Sequence, residues 1–209
     1  MVLTIGEPGF GEYTEKKSRF LAEARHVECR EDAEDFLDGV RRKYYDARHH
    51  CSAYICGTGG EIRKASDDGE PSQTAGRPIL SVLEGAGLTD AMIVATRYFG
   101  GVLLGTGGLV RSYTAAAQQA LDHAGLVRVI PAVRLTVSVS YAQVGTVMRA
   151  AAARNFREAG SDYGERAELR YLVPEEETPG FRKELTEKLA GAASFAEEPG
   201  ISIREAVSR

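Results

Sequence analysis

Apolar and polar positions along this chain form blocks that predict a mixture of strands and helices. Apolar residues recur at helical spacing along one face of residues 31–44, which predicts a helix. A continuous apolar run at residues 91–96 is typical of a strand covered on both faces. Residues 12–28 predict a pair of strands, residues 51–56 a further strand, and residues 78–85 a short helix.

Polar and glycine-rich stretches separate these elements. Residues 63–73 predict a polar loop, because turn-forming and charged residues dominate there. Residues 100–108 contain five glycines and predict a second loop. A helix is expected to follow over residues 109–124, and residues 127–132 predict a linker.

The pattern restarts after this linker. Strands are predicted at residues 133–140, 156–163, 167–173 and 193–203, with helices at residues 143–154 and from Thr178 onwards. This β-α-β-β-α-β order is that of the split ferredoxin-like unit. We therefore predict an α+β fold of two domains, residues 1–130 and residues 131–209.

Composition and charge narrow the possible functions. The chain has 209 residues, 43% of them hydrophobic and 27% charged, which predicts folded globular domains rather than disorder. A net charge of −4 means that any site for a polyanion must be a local patch. No apolar run is long enough to span a bilayer, so no membrane partner is expected.

The three cysteines bear on location and on metals. Cys29, Cys51 and Cys56 form no CxxC motif, and no signal peptide is visible, so we expect free thiols in the cytoplasm. His49, His50 and Cys51 are metal-capable, but neighbouring strand residues point to opposite faces. We therefore predict no metal and no cofactor.

A first candidate block lies in residues 41–64, where six lysines and arginines face two acids, a local charge of +4. Arg48, His49 and Lys64 are its candidate contacts for phosphate groups. The alternative for residues 41–43 is that they only complement the dipole at a helix C-terminus.

A second block is the polar stretch at residues 66–77. Asp67, Asp68 and Glu70 have the chemistry of acid–base groups or metal ligands. Backbone amides at the helix start beside Arg77 suit an anion. A plain surface loop built from turn residues is the alternative.

A third block, residues 96–111, takes a strand through a glycine-rich loop into a helix. Glycine amides approach phosphates closely, and a helix N-terminus favours negative charge. Thr106 and Gly107 stand where a P-loop needs Lys and Ser or Thr, so this is not an NTPase motif. Glycines that only permit tight packing are the alternative. The candidate residues are Arg97, Gly100, Gly101, Gly105, Thr106, Gly107, Gly108 and Arg111.

These blocks are expected to meet in one cleft, because strand–loop–helix units place such loops at the same end of a sheet.

Several motifs resemble those of the YigZ/IMPACT family, across most of residues 13–123. Gln73 stands where the family usually has Gly, and Ser112 where it usually has Ala. The matching motifs are Lys17-Ser-Arg-Phe20, Arg48-His49 with Cys51 and Ala53-Tyr54, Asp67-Asp-Gly-Glu-Pro-Ser72, Thr74-Ala-Gly-Arg-Pro78, Thr96-Arg-Tyr-Phe-Gly-Gly101 and Leu104-Gly-Thr-Gly-Gly-Leu-Val-Arg111 with Tyr113.

This resemblance implies a first domain similar to the second domain of a small-subunit ribosomal protein. It implies a ferredoxin-like second domain similar to the C-terminal domain of elongation factor G. Both similarities point to RNA or the ribosome as partner, and to a role in translation. They rest on analogy of fold.

We therefore expect a cytoplasmic RNA- or ribosome-associated regulator of translation, with its oligomeric state open. The alternatives are a hydrolase-like enzyme for a small or phosphorylated ligand, using Asp67, Asp68 and Glu70, and a protein-binding regulator whose C-terminal sheet docks a partner. In the RNA hypothesis, phosphates contact Arg48, Lys64, Arg77, Arg97 and Arg111, and bases stack on His49, Tyr54 or Tyr98.

Overall fold

The computed structural model of the chain describes residues 2–57 and 59–207. It contains two compact units, one formed by Val2–Arg128 with the last described residues from Glu205, the other by Val129–Arg204. Both combine sheets with helices, as an α+β fold requires. Met1, Thr58, Ser208 and Arg209, which the predicted domains include, lie outside the described residues.

The N-terminal unit is built on a five-stranded antiparallel sheet. Its strand order is β2-β3-β6-β4-β5. The elements are β1 (Val2–Glu7), β2 (Gly9–Glu15), β3 (Ser18–His26), α1 (Arg30–Lys43), β4 (His49–Cys56), β5 (Ile62–Ser66), α2 (Gly76–Gly85), β6 (Ala91–Tyr98) and α3 (Gly105–Asp122).

Alternate residues of the central strands face two different helix layers. One face packs against α2 and α3, as in the cluster of Ala53, Ile93 and Tyr113. The opposite face packs against α1, as in the cluster of Val40 and Met92. Because both faces are covered, β4 and β6 are buried along almost their whole length, which explains the continuous apolar run that begins β6.

Two sequence predictions for this unit were wrong in part, and one strand was not predicted. Residues 63–66 of the predicted loop belong to β5, because an exposed edge strand needs no apolar alternation. Helix α3 begins at Gly105, so the last glycines of the predicted loop lie in its first turn. Strand β1 was not predicted at all.

The C-terminal unit has the predicted ferredoxin-like order. Strand β9 lies between β7 and β8 and is antiparallel to both, and β10 pairs with the other side of β7. Its core combines alternate residues of β7 and β9 with Val147, Phe181 and Leu185 from the helices. The elements are β7 (Gly125–Val139), α4 (Val144–Ala152), β8 (Arg157–Tyr163), β9 (Ala167–Pro174), α5 (Thr178–Lys188) and β10 (Ser194–Ala206).

The predicted linker at residues 127–132 lies inside the long strand β7, so that prediction was wrong. Its side chains are half-buried through Ile130, and the residues continue the extended backbone without a turn. Among the described residues, no helix is long and apolar enough to cross a lipid bilayer.

Candidate functional site

Parts of all three candidate blocks lie at one end of the N-terminal sheet. The ladder pairs His49 at the start of β4 with Arg97 near the end of β6, and Ser52 with Ser66 at the end of β5. It also pairs Arg19 at the start of β3 with Tyr98. The blocks were expected to meet in one cleft; the structure instead brings part of each block together around a buried polar network.

Arg97 is the centre of this network. Its Nη1 donates to both carboxylate oxygens of Glu70, at 2.7 and 3.1 Å, and the two side chains are only 7% and 4% exposed. The guanidinium lies 5.5 Å from the ring centres of Phe20 and Phe99. Arg97 was predicted to contact a phosphate directly, and its burial in an ion pair does not fit that role.

Tyr113 and Cys51 extend the network into the core. The Tyr113 hydroxyl donates to Glu70 Oε1 at 2.8 Å, and Cys51 Sγ lies 3.3 Å from that hydroxyl. Burial raises the pKa of the Cys51 thiol and of the Tyr113 phenol far above their usual ranges. Cys51 therefore stays a neutral thiol and is a poor nucleophile.

Asp67 accepts hydrogen bonds from the backbone amides at the start of α2, which were predicted to bind an external anion. Its Oδ1 accepts from the N–H groups of Ala75 and Gly76 at 2.9 and 2.8 Å, and its Oδ2 accepts from Gln73 N–H at 2.8 Å. A Cβ at Gly76 would lie 2.6 Å from the backbone of Ser66, so only glycine fits there. The N-terminus of α2 is thus satisfied from within the protein.

Asp68 is also bonded within the protein. Its Oδ2 accepts from the His50 N–H at 2.7 Å and its Oδ1 from Arg41 at 3.2 Å, while its carbonyl lies 2.8 Å from His49 Nδ1. Together with Glu70 and Asp67, every acid of the proposed catalytic set has partners. No described group of three or more His, Cys, Asp and Glu side chains is arranged to hold a metal ion. The enzymatic hypothesis stays a prediction.

The structure shows the backbone conformation or hydrogen bonding of the two positions that depart from the family pattern, Gln73 and Ser112. Gln73 has a φ of +63°, in the left-handed region that favours glycine. Ser112 is buried in α3 and its hydroxyl donates to the Gly108 carbonyl at 2.9 Å, one turn back.

Of the remaining predicted cations, two lie at this end of the sheet and two do not. Arg48 and Arg111 are exposed and form no ion pair with any residue the structure describes. Lys64 instead lies on β5 beside α1, and Arg77 pairs with Glu84 at 3.3 Å on the outer side of α2.

The first turn of α3 adds donors beside Arg111. Gly105, Thr106 and Gly107 are exposed, and this turn contains no acid. A Cβ on Gly107 would lie 3.6 Å from Arg111 Nη1, which places the guanidinium over the turn. Positive charge from the helix dipole and from Arg111 therefore coincide here.

The residues predicted to stack on bases mostly contact other parts of the protein. Tyr54 lies under α1, and His49 contacts the Asp68 carbonyl. The Tyr98 hydroxyl donates to Asp46 at 2.7 Å, and this bond raises the pKa of Tyr98 to about 12. Two rings that were not predicted to stack on bases are more exposed: Tyr45, at 85%, and Phe99, at 55%.

Sequence reasoning missed the β2–β3 turn. Lys16 and Lys17 are exposed there, with φ of +45° and +67°. A Cβ at Gly100 would lie 2.1 Å from the Lys17 carbonyl carbon, so this glycine brings the turn against the glycine loop. Ser18 Oγ accepts from the Gly100 N–H at 3.1 Å. The adjacent lysines were visible in the sequence, but their proximity to Gly100 was not.

Comparisons with known proteins place the whole chain among described relatives. The Impact N-terminal domain matches residues 16–121, and a domain of unknown function (DUF1949) matches residues 137–192. The chain is 35% identical over 205 residues to the IMPACT family member YvyE of Bacillus subtilis (strain 168), covering 98% of this chain and 94% of the relative.

Two further matches agree with these. The IMPACT family member YigZ of Escherichia coli (strain K12) is 36% identical over 179 residues, which cover 85% of this chain and 88% of that relative. A crystal structure of a hypothetical protein aligns with a TM-score of 0.62 at 34% identity, covering 93% of this chain and 95% of the other.

Proposed function

The chain belongs to the IMPACT family, and we propose that its N-terminal unit binds RNA at the end of the sheet that carries Lys16, Lys17, Arg48 and Arg111. These four residues are named the basic rim below. The observation that carries the proposal is that the four cations are exposed and have no acidic partner among the described residues, next to exposed aromatic rings.

The charge of the basic rim supports phosphate binding despite the net charge of −4. Two other cations of this unit are neutralised, since Arg19 pairs with Glu12 and Lys43 with Glu23. The rim residues are not, so their positive charge is available to a ligand. Phosphate contacts release counterions, and the affinity therefore depends steeply on salt.

The exposed rings of Phe99 and Tyr45 support a single-stranded RNA segment as ligand. Unpaired bases stack on aromatic side chains, whereas bases within a duplex are already stacked on each other. Arg97 behind Phe99 holds this ring by a cation–π contact at 5.5 Å, which favours a preformed stacking platform.

The proposal includes a role in translation for the RNA-binding protein. Its supports are the family resemblance to a ribosomal protein domain and the ferredoxin-like order of the C-terminal unit. A cytoplasmic site of action fits the three free cysteines.

The test is a fluorescence-anisotropy titration of the full chain with a labelled twelve-residue oligouridine, across a salt series. The Arg48→Gln/Arg111→Gln variant is compared with Arg157→Gln/Lys183→Gln, which removes the same charge from exposed residues of the C-terminal unit. We expect the rim variant alone to bind more weakly, with a salt slope shallower by about 1.4, for two lost single-strand phosphate contacts.

Equal affinities and slopes for the two variants would overturn the rim assignment. Co-sedimentation with ribosomes in cell extract tests the wider role, with salt-dependent release of the native chain as the expected result. A chain that stays at the top of the gradient at low salt contradicts the ribosomal proposal.

A further inference from the structure

A groove of about 390 Å³ lies on the face of the N-terminal sheet opposite α2 and α3, and none of its lining residues belongs to the basic rim. One wall is α1, and the floor is formed mainly by the paired strands β4 and β5. It is named the α1 groove here, and its lining residues relevant to binding are Leu37, Ser52, Tyr54, Lys64 and Met92.

The groove exists because α1 is displaced from the sheet edge. The helix packs over β6 and β4 through Ala33 and Val40, and edge strand β5 lies beyond it. The register pairs Tyr54 directly with Lys64, so both side chains lie on the α1 face. Ser52, two residues from Tyr54, faces the same way.

Two hydroxyl groups in the floor, those of Ser52 and Tyr54, have no partner among the described residues. Ser52 and Tyr54 are each only 6% exposed, yet neither hydroxyl forms a hydrogen bond with a described residue. Their oxygens are also not sealed from solvent, unlike Thr96 Oγ1, which is both sealed and unpaired. A hydroxyl that is nearly buried but open to a groove can donate a hydrogen bond to a ligand bound there.

Most charged side chains on the walls are paired with other described residues. Glu34 accepts from Arg30 at 2.7 Å, and Arg41 bonds to Asp68 at 3.2 Å and lies 3.7 Å from Asp38. Lys64 forms no ion pair with a described residue, and its charge adds only a secondary contribution, after Arg30, to lowering the pKa of Glu34. The groups in the α1 groove that form no hydrogen bond or ion pair with a described residue therefore include the hydroxyls of Ser52 and Tyr54 and the ammonium of Lys64.

We propose that the α1 groove binds a small organic oxyanion, a carboxylate or a phosphate monoester carried on an apolar body about the size of one aromatic ring. The oxyanion accepts from Lys64 Nζ and the hydroxyls of Tyr54 and Ser52. The apolar body contacts Leu37 and Met92, and the volume is within the range of small-ligand sites. This site is distinct from the basic rim and does not depend on RNA binding.

The test is an NMR titration of the ¹⁵N-labelled full chain with three matched probes: phenyl phosphate, phenylacetate and neutral benzyl alcohol. We expect both anions, or one of them, to shift amides near residues 33–41, 52–54 and 64–66, and the tighter probe identifies the oxyanion. Benzyl alcohol is expected to bind at least about fivefold more weakly, since it lacks the charged acceptor.

Variants assign the contacts. Tyr54→Phe and Lys64→Gln are each expected to weaken binding of the anion about fivefold or more, because each removes one donor to a charged group. Lys183→Gln, the same change on an exposed lysine of α5, is expected to leave binding unchanged. Lys64 is exposed, so its replacement does not threaten folding, and spectra of the free variants verify this.

Three results would overturn the proposal. The first is that no groove amide shifts with any probe, which would mean that the groove holds only water. Another is equal binding of anions and alcohol, and the third is anion binding that survives Lys64→Gln and Tyr54→Phe. Shifts confined to residues 16–17, 48 and 111 report phosphate at the basic rim and likewise contradict an α1 site, so failures of the two proposals are distinguished.

Discussion

Arg97 and Glu70 form an ion pair in which one guanidinium nitrogen donates to both carboxylate oxygens, at 2.7 and 3.1 Å, in a site nearly closed to water. The pair joins the loop before α2 to the last residues of β6. Tyr113 from α3 bonds to the same carboxylate. This pair therefore holds the loops that support the basic rim.

Replacing Glu70 by Gln is expected to destabilise the protein by about 3 kcal/mol, because it leaves the buried Arg97 charge uncompensated. Urea unfolding followed by circular dichroism measures the change. Glu12→Gln, which breaks the exposed pair with Arg19, is the matched control and is expected to shift the midpoint little. Similar midpoints for the two variants would contradict a structural role for the buried pair.

Asp67→Ala is expected to cost about 2 kcal/mol or more, because three backbone N–H groups lose a charged acceptor. The loss should concentrate at the start of α2, where hydrogen exchange of the Ala75 and Gly76 amides is expected to accelerate. Asp35→Ala, on the exposed face of α1, serves as control. Unchanged exchange at these amides would show that Asp67 does not cap the helix.

Gln73→Gly is expected to stabilise the chain by up to about 1 kcal/mol. The left-handed conformation costs a side chain roughly 1–2 kcal/mol, and the extra freedom of glycine in the unfolded chain offsets part of that gain. Gln73→Ala retains the strain and is expected to be nearly neutral. Thermal unfolding of the three proteins checks this, and a lower midpoint for the glycine variant rejects the explanation.

The free energy of unfolding is expected to fall at alkaline pH, in part because the thiol of Cys56 is buried. Burial raises the pKa of Cys56 to about 11, whereas a cysteine thiol in an unfolded chain has a pKa of about 8.5. The folded state thus favours the neutral thiol, so this contribution is complete below about pH 8.5 and is lost as pH rises towards 11. Urea midpoints at pH 8, 9.5 and 10.5 measure it.

Cys56→Ala is the comparison that isolates this thiol from other groups that titrate at high pH. The variant is expected to lose less stability between pH 8 and pH 10.5 than the native chain. Identical pH dependence of the two proteins would mean that Cys56 contributes nothing to the alkaline loss.

The sequence by itself determined the elements whose residues face a core. Helical spacing identified α1, a continuous apolar run identified β6, and strict alternation identified β9. The order of these elements was enough to predict the ferredoxin-like unit. These features are local, because side-chain direction repeats with a fixed period within each helix and strand.

Only the tertiary structure decided what the charged residues do. Edge strand β5 is exposed, so its residues carry no apolar alternation that would have revealed it. Arg97 is neutralised by Glu70, 27 residues earlier in the chain, and the amides of α2 are taken by Asp67. The sequence shows that a residue is charged but not whether an opposite charge lies beside it. Ion pairing depends on distance in space, so the fold decides which charged residues are buried in pairs and which stay exposed.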